Sequence, residues 1–298
     1  MMEDRIGELA ALGTAFCWTI TAIAFETASR KVGSIAVNFI RLVMALALLS
    51  IFSWFNRGLF FPLDASVHSW YWLIFSGLVG FVIGDLFLFE AFTLIGSRLS
   101  MLIMTLVPPI TATLGWLIMA EQMSWFNIMG MAMTISGIAL VIFEKHSPDG
   151  KKIRYPVKGL FFAFLGAAGQ ATGYVLSKYG MGEYDPFAAT QIRVIAGIVG
   201  FIIVVSFFRR WKAVFGALPQ RKPMLLMLLG ATFGPFIGVS LSLLAAQNTT
   251  TGIAATIMAI TPILIIPPTL IFFKQKVSWK EVAGAIISVA GVSLFFIF

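Results

Sequence analysis

The chain reads as an all-α membrane protein, with ten transmembrane helices arranged as two inverted five-helix repeats. Three observations lead there. Of its 298 residues, 59% are hydrophobic and 11% charged, whereas a soluble domain carries about 25% charged residues. Apolar runs recur at lengths suited to a bilayer core, which needs about 20 residues per helix. The second five runs repeat landmarks of the first five at a near-constant offset.

Helices are expected rather than strands because backbone groups in lipid must be bonded within their own segment. The runs Leu42–Leu49 and Ile257–Leu270 do not alternate apolar and polar residues, as a barrel strand would. The expected spans are 7–28, 34–55, 70–93, 97–119 and 124–143, then 158–178, 186–208, 223–246, 252–273 and 279–298. The start, Met-Met-Glu-Asp-Arg, lacks a basic leader region, so the first run reads as a retained helix. The longest polar interruption, 144–157, contains Ser-Pro-Asp-Gly, a turn signature. It divides the chain into a first repeat at 1–146, a linker at 147–157 and a second repeat at 158–298.

An offset of 154 pairs Gly80 with Gly234, Gly84 with Gly238, Met104 with Met258 and Pro108 with Pro262. It also pairs Ser124-Trp125 with Ser278-Trp279, Gly130 with Gly284 and Gly137 with Gly291. An offset of 152 pairs Gly7 with Gly159, Ala36 with Ala188 and Arg41 with Arg193. Each half holds an odd number of spans, so the second enters the membrane with opposite polarity. Inverted repeats of this kind recur in secondary transporters, which open to either side by exchanging the conformations of their halves.

Other classes find little support. The +8 formal charge lies in short loops, where it sets topology, and does not suggest nucleic-acid binding. The lone Cys17 allows no intrachain disulfide, and no metal-ligand cluster or cofactor motif occurs. No HExxH, nucleophile–base pair or Gly-rich Lys-Ser/Thr loop appears, and His68 and His146 sit in loops, so neither an enzyme nor an ATP-driven pump is expected.

Ionisable groups inside the spans are the strongest local signal, since a charge at mid-bilayer costs about 2.5–3.5 kcal/mol on insertion scales. Asp85 lies near the centre of the third span, and Arg41 and Arg193 occupy equivalent positions in the second and seventh. Asp85 reads either as a protonation or substrate-amine site or as a structural partner of Arg41. For the two arginines the structural reading weighs more. Glu90, nearer a helix end, is a second coupling candidate, while Glu26 and Lys178 are expected to snorkel.

Trp18 is the one tryptophan at mid-span, where it lines a cavity, faces lipid or packs in the core; Gln170 is its repeat equivalent. Gln170 and Tyr174 share a helix face. Asn38, Thr105, Gln191 and Thr261 complete the polar residues expected of a mostly apolar pocket. Pro108 and Pro262 read as a pair of hinges or as static bends. The spaced small residues of the third, sixth and eighth spans predict close helix contacts.

Together these residues resemble an EamA-type repeat of the drug/metabolite transporter superfamily. The pattern is a mid-helix proline, a short Gly-Glu-like loop and a last helix with spaced glycines. The first half reads Pro108, Ala120-Glu121, Gly130 and Gly137; the second reads Pro262, Lys274-Gln275, Gly284 and Gly291. Trp18 stands where the family tends to place a tryptophan in its first helix. Ala120 replaces the usual glycine and Gln275 the usual glutamate, which argues against a symmetric coupling role for the loop acid.

The resemblance implies a ten-helix carrier in a membrane, often an exporter of amino acids or other small metabolites, without a cofactor and as a monomer or homodimer. Protons are the candidate coupling ion and a bacterial inner membrane the expected location. Nucleotide-sugar or phosphorylated-metabolite exchange, a channel and a lipid scramblase are the alternatives. Loop charges, sixteen basic residues on one side against three on the other, favour termini outside; the family's habit favours termini inside.

Overall fold

A computed structural model describes residues 6–119, 125–143, 155–248, 254, 257–273 and 278–297. The first half comprises α1 (Ile6–Val32), α2 (Ser34–Arg57), α3 (Val67–Gly77), α4 (Asp85–Ile103), α5 (Val107–Met119) and α6 (Trp125–Phe143). The second comprises α7 (Val157–Met181), α8 (Pro186–Phe207), α9 (Trp211–Ala217), α10 (Arg221–Ala231) and α11 (Val239–Asn248). It ends with α12 (Thr261–Leu264), α13 (Ile266–Phe273) and α14 (Trp279–Ile297). Six helical stretches among the described residues are long and apolar enough to cross a bilayer, and shorter apolar helices lie at Ile128–Val141 and Thr261–Ile271.

The helix ends follow from local chemistry. Asp185 accepts a hydrogen bond from the Ala188 N–H at 2.8 Å, and Pro186 opens α8 where no donor is lost. Ser66 caps α3 through the Ser69 N–H. Gly33 (φ 89°, ψ 146°) alone separates α1 from α2, and Gly96 (φ 82°, ψ 159°) breaks the helical run between the third and fourth spans. Those backbone angles are open essentially to glycine alone.

The snorkelling expected of Glu26 does not occur. Its side chain is buried, accepts from the Ser97 N–H at 2.8 Å and pairs with Arg30 at 3.0 Å. The acid on the first span thus caps the helix that restarts after Gly96, satisfying a donor that lipid leaves without a partner. Lys178 is exposed, as expected.

The duplication is visible in backbone geometry. A π-helical turn at Leu78–Gly84 links α3 to α4, and another at Thr232–Gly238 links α10 to α11, 154 residues on. In the first, the Asp85 N–H bonds back to Gly80 O; in the second, the Val239 N–H bonds back to Gly234 O. Pro235 accounts for the second, because it has no N–H to give the regular ladder. Its counterpart is Phe81.

The halves interlock by exchange. The third span packs on α7, while the eighth packs on α1. A methyl placed on Gly169 would lie 2.6 Å from Gly84 Cα, and one on Gly173 would lie 2.9 Å from Gly80 Cα. In the mirrored contact, a methyl on Gly234 would lie 3.0 Å from Thr21, the equivalent of Gly173. Ser76 Oγ donates to Gly173 O at 2.6 Å and contacts Ser177 Oγ at 2.6 Å. The equivalent contact joins Gly230 to the Phe25 ring.

The last spans of the halves, α6 and α14, pack face to face. Thr134 Oγ1 bonds to Ser288 O at 3.3 Å, and Ser288 Oγ bonds to Thr134 O at 3.2 Å. These two residues are repeat equivalents, so the pseudo-two-fold axis runs between them. Gly137 meets the Gly284 carbonyl and Gly291 meets the Gly130 carbonyl at equivalent points on either side.

The polar ends are tied by side chains. At one end Arg57 pairs with Asp64, Tyr184 donates to Asp64 at 2.8 Å, and Gln247 donates to the Gly182 and Tyr184 carbonyls at 2.8 Å each. Burial, followed by the bond to Asp64, pushes the Tyr184 hydroxyl up to about 12, against the opposing influence of Arg57. The unfolded hydroxyl titrates near 10. The tie is therefore intact below pH ~10, and stability declines as pH rises from there through about 12. An ultraviolet absorbance titration should show one tyrosine ionising near 12 in native protein and not in Tyr184→Phe.

At the other end Arg98 pairs with Glu281 at 3.2 Å. Glu281 also forms a reciprocal capping box with Ser278 at the start of α14. The stretch 209–222, expected as a loop, holds the short α9, whose Val214 and Ala217 are buried. Trp211 anchors it edge-on against Phe39, with ring centroids 5.5 Å apart.

Candidate functional site

One cluster of polar residues buried inside the bundle gathers around the π turn of the third span. That turn delivers Asp85 to the centre of the molecule, with the Gly80 carbonyl accepting its N–H. Gln170 Nε2, on α7, donates to Asp85 Oδ1 at 2.5 Å and to Gly80 O at 3.3 Å. Asp85 Oδ2 pairs with Arg41 on α2. Arg41 Nε donates to Asn38 Oδ1 at 3.1 Å, and Asn38 Nδ2 donates to Asp85 O at 3.2 Å. The ring Asn38–Arg41–Asp85 is closed and buried on every side.

Aromatic rings enclose the Arg41 guanidinium. Phe89 lies 4.5 Å from it, Phe25 5.2 Å and Phe81 5.8 Å, measured to ring centroids. Desolvating each ion costs several kcal/mol, repaid only when geometry and extra hydrogen bonds are good. Here each Asp85 oxygen has a partner, and Arg41 gains both an ion pair and a face of aromatic quadrupoles. Asp85 is thus held as part of an ion pair, one of the two readings left open by the sequence.

Arg193 is differently placed. It is 3% exposed, and its Nε has no hydrogen-bond partner. Among the described residues it forms no ion pair; the Phe81 ring lies 4.8 Å from the guanidinium, and a methyl placed on Gly80 would lie 3.2 Å from its Nη2. Phe81 therefore stands between the two equivalent arginines. Asp85 and Tyr174 lie within electrostatic reach of Arg193. The residue matching Asp85 in the second half is Val239, so the second arginine lacks the repeat-equivalent acid.

Tyr174 lies one helical turn from Gln170 on α7, while the remaining expected site residues lie apart from this cluster. Tyr174 reaches Ser242 O at 3.5 Å. Gln191 points away from the ion pair, donating to Ser50 Oγ at 2.9 Å and to Phe60 O at 2.7 Å, where it ties down the chain after α2. Thr105 and Thr261 bond to Leu102 O and Met258 O, each in its own preceding turn. Glu90 accepts from Ser34 Oγ at 2.7 Å, near the start of α2.

Trp18 packs against Gly238, and Gln170 against Gly84, so the equivalent residues sit at equivalent glycines. Pro108 and Pro262 are buried, and each follows a tightened turn: 3₁₀ at Met104–Leu106, and the Ile260 N–H to Ile257 O bond. Short 3₁₀ stretches inside helices often mark hinges. The Ala120-Glu121 and Lys274-Gln275 loops lie outside the described residues.

Sequence reasoning missed Phe81, Phe89 and Phe25 as the walls of the charged cluster. The available signal was Phe81 standing where its repeat equivalent is proline.

The fold has solved relatives. A protein of known crystal structure superposes with a TM-score of 0.65 at 15% identity, covering 97% of this chain and 95% of that one. No curated protein matches the chain significantly. The model of the EamA-like transporter family matches twice, at residues 5–143 and 157–297, one match on each side of the pseudo-dyad. The chain is therefore a multi-pass membrane transporter, not an enzyme, and belongs to the EamA-like transporter family.

Proposed function

We propose that the protein is a secondary active carrier that exports amino acids or similar small metabolites by alternating access, from a bacterial inner membrane. The observation that carries the reading is the exchange packing of the inverted halves around a buried polar cluster. The third span lies on the sixth and the eighth on the first, so a shift of either pair alters access from one side. Asp85, Arg41, Asn38 and Gln170 form the polar floor of the pathway, with Trp18 and Tyr174 beside it. Asp85 and Glu90 are the coupling acids of this reading, and Pro108 and Pro262 its hinges.

The exchanger alternative needs several free cationic side chains for phosphate. Arg41 is already neutralised by Asp85, which leaves that reading weaker.

Counterflow of a labelled amino-acid panel in proteoliposomes, with and without a pH gradient, tests the proposal. Saturable exchange is expected, with its pH response lost in Asp85→Asn. Exchange that keeps its pH response in both Asp85→Asn and Glu90→Gln removes the coupling role from these acids. Absence of exchange for every amino acid sinks that substrate assignment.

A further inference from the structure

We infer that Arg193 anchors a carboxylate on the transported solute. This rests on the carrier reading and narrows its substrate class. A buried guanidinium normally spends its five N–H donors on acids or carbonyls. Arg193 is 3% exposed, with its Nε unbonded and no ion pair among the described residues.

The repeat supplies the comparison. Arg41, its equivalent, is neutralised by Asp85, whereas the matching position in the second half is Val239. Both Asp85 oxygens are already engaged, one by Arg41 and one by Gln170. Summed over Arg41, Arg193 and Asp85, the cluster keeps one positive charge. Phe81 braces the guanidinium from one side at 4.8 Å, and glycine at position 80 keeps that flank free of a side chain.

The arrangement suits a planar monoanion. A carboxylate accepts two parallel N–H bonds from an arginine fork and carries the single charge the cluster lacks. A phosphate ester, with close to two charges, would leave it negative. Halide ions match the charge and lack the two-oxygen geometry.

The test compares carboxylates with their amides and decarboxylated amines as competitors of labelled amino-acid counterflow in proteoliposomes. It uses native protein, Arg193→Gln and Arg193→Lys. In native protein the acids should compete, and the amides and amines should compete at least ten-fold more weakly. Arg193→Gln should lose at least ten-fold in exchange of the acids, and Arg193→Lys should retain part of it.

Equal competition by amides overturns the inference on native protein alone, whether or not the variants fold. So does a folded Arg193→Gln that exchanges acids at the native rate. Saturable exchange confined to solutes lacking a carboxylate sinks the inference and leaves the carrier intact. No exchange of any probe, charged or neutral, removes both.

Discussion

Arg41→Met is expected to destabilise the protein by about 3–5 kcal/mol, whereas Arg193→Met should leave the ligand-free protein as stable as native or more so. The same chemical change is made at two repeat-equivalent positions, yet opposite outcomes follow from their partners. Removing Arg41 strands the buried Asp85 carboxylate, which keeps only the Gln170 bond. It also frees the Asn38 carbonyl that Arg41 Nε had satisfied. Removing Arg193 strands nothing, because its guanidinium holds no acid among the described residues, and methionine fills the space beside Phe81 without a desolvated charge. Thermal unfolding in one detergent reads both effects. Replacing Asp85 as well, in Arg41→Met/Asp85→Leu, should recover much of the loss. Equal losses for the two single variants would refute the electrostatic asymmetry between the halves.

Gly169→Val should cost at least about 1–3 kcal/mol, the usual range for overpacking, and abolish transport. The new side chain would enter 2.6 Å from Gly84 Cα and 2.9 Å from Gly84 N. Both obstacles are backbone, so no rotamer change relieves them, and the third span must move away from α7. That movement also stretches the Gln170–Asp85 bond, one residue along. Gly216→Ala is the control. Its added methyl has no atom within 4 Å, and alanine in a helix is favoured over glycine by about 0.5–1 kcal/mol. A Gly169→Val protein that unfolds at the native temperature and still exchanges solute would show that the two spans are not in backbone contact.

Much of this architecture could be read in advance because lipid imposes it. A segment without water must be helical and about twenty residues long. Matched glycines, prolines and a Ser-Trp pair survive as marks of duplication even where apolar residues have diverged. The Asp85–Arg41 partnership was among the readings weighed, since two buried opposite charges in neighbouring spans have few alternatives.

Other features depend on contacts that one-dimensional pattern does not carry. Glu26 looks like an interfacial acid until the break at Gly96, a span away in the fold, presents it with an unbonded N–H. Gln191 sits two residues before Arg193 and is drawn instead to Ser50 and Phe60, because neighbouring helix positions face different directions. Thr105 and Thr261 bond to their own turns, an option always open to a helical hydroxyl. The π turns coincide in the repeat although proline stands in one and phenylalanine in the other, so composition alone does not announce them.

The reciprocal bond between Thr134 and Ser288 has a bearing on any attempt to watch this molecule move. A residue on the axis of a pseudo-dyad faces its own image. Swapping the shapes of the two halves carries that contact onto itself, whereas a pair drawn from non-equivalent positions of the two halves takes up the separation of its mirrored pair. A pair of spectroscopic labels at positions 134 and 288 thus forms a fixed ruler mark, the internal zero against which distances elsewhere in the bundle acquire meaning.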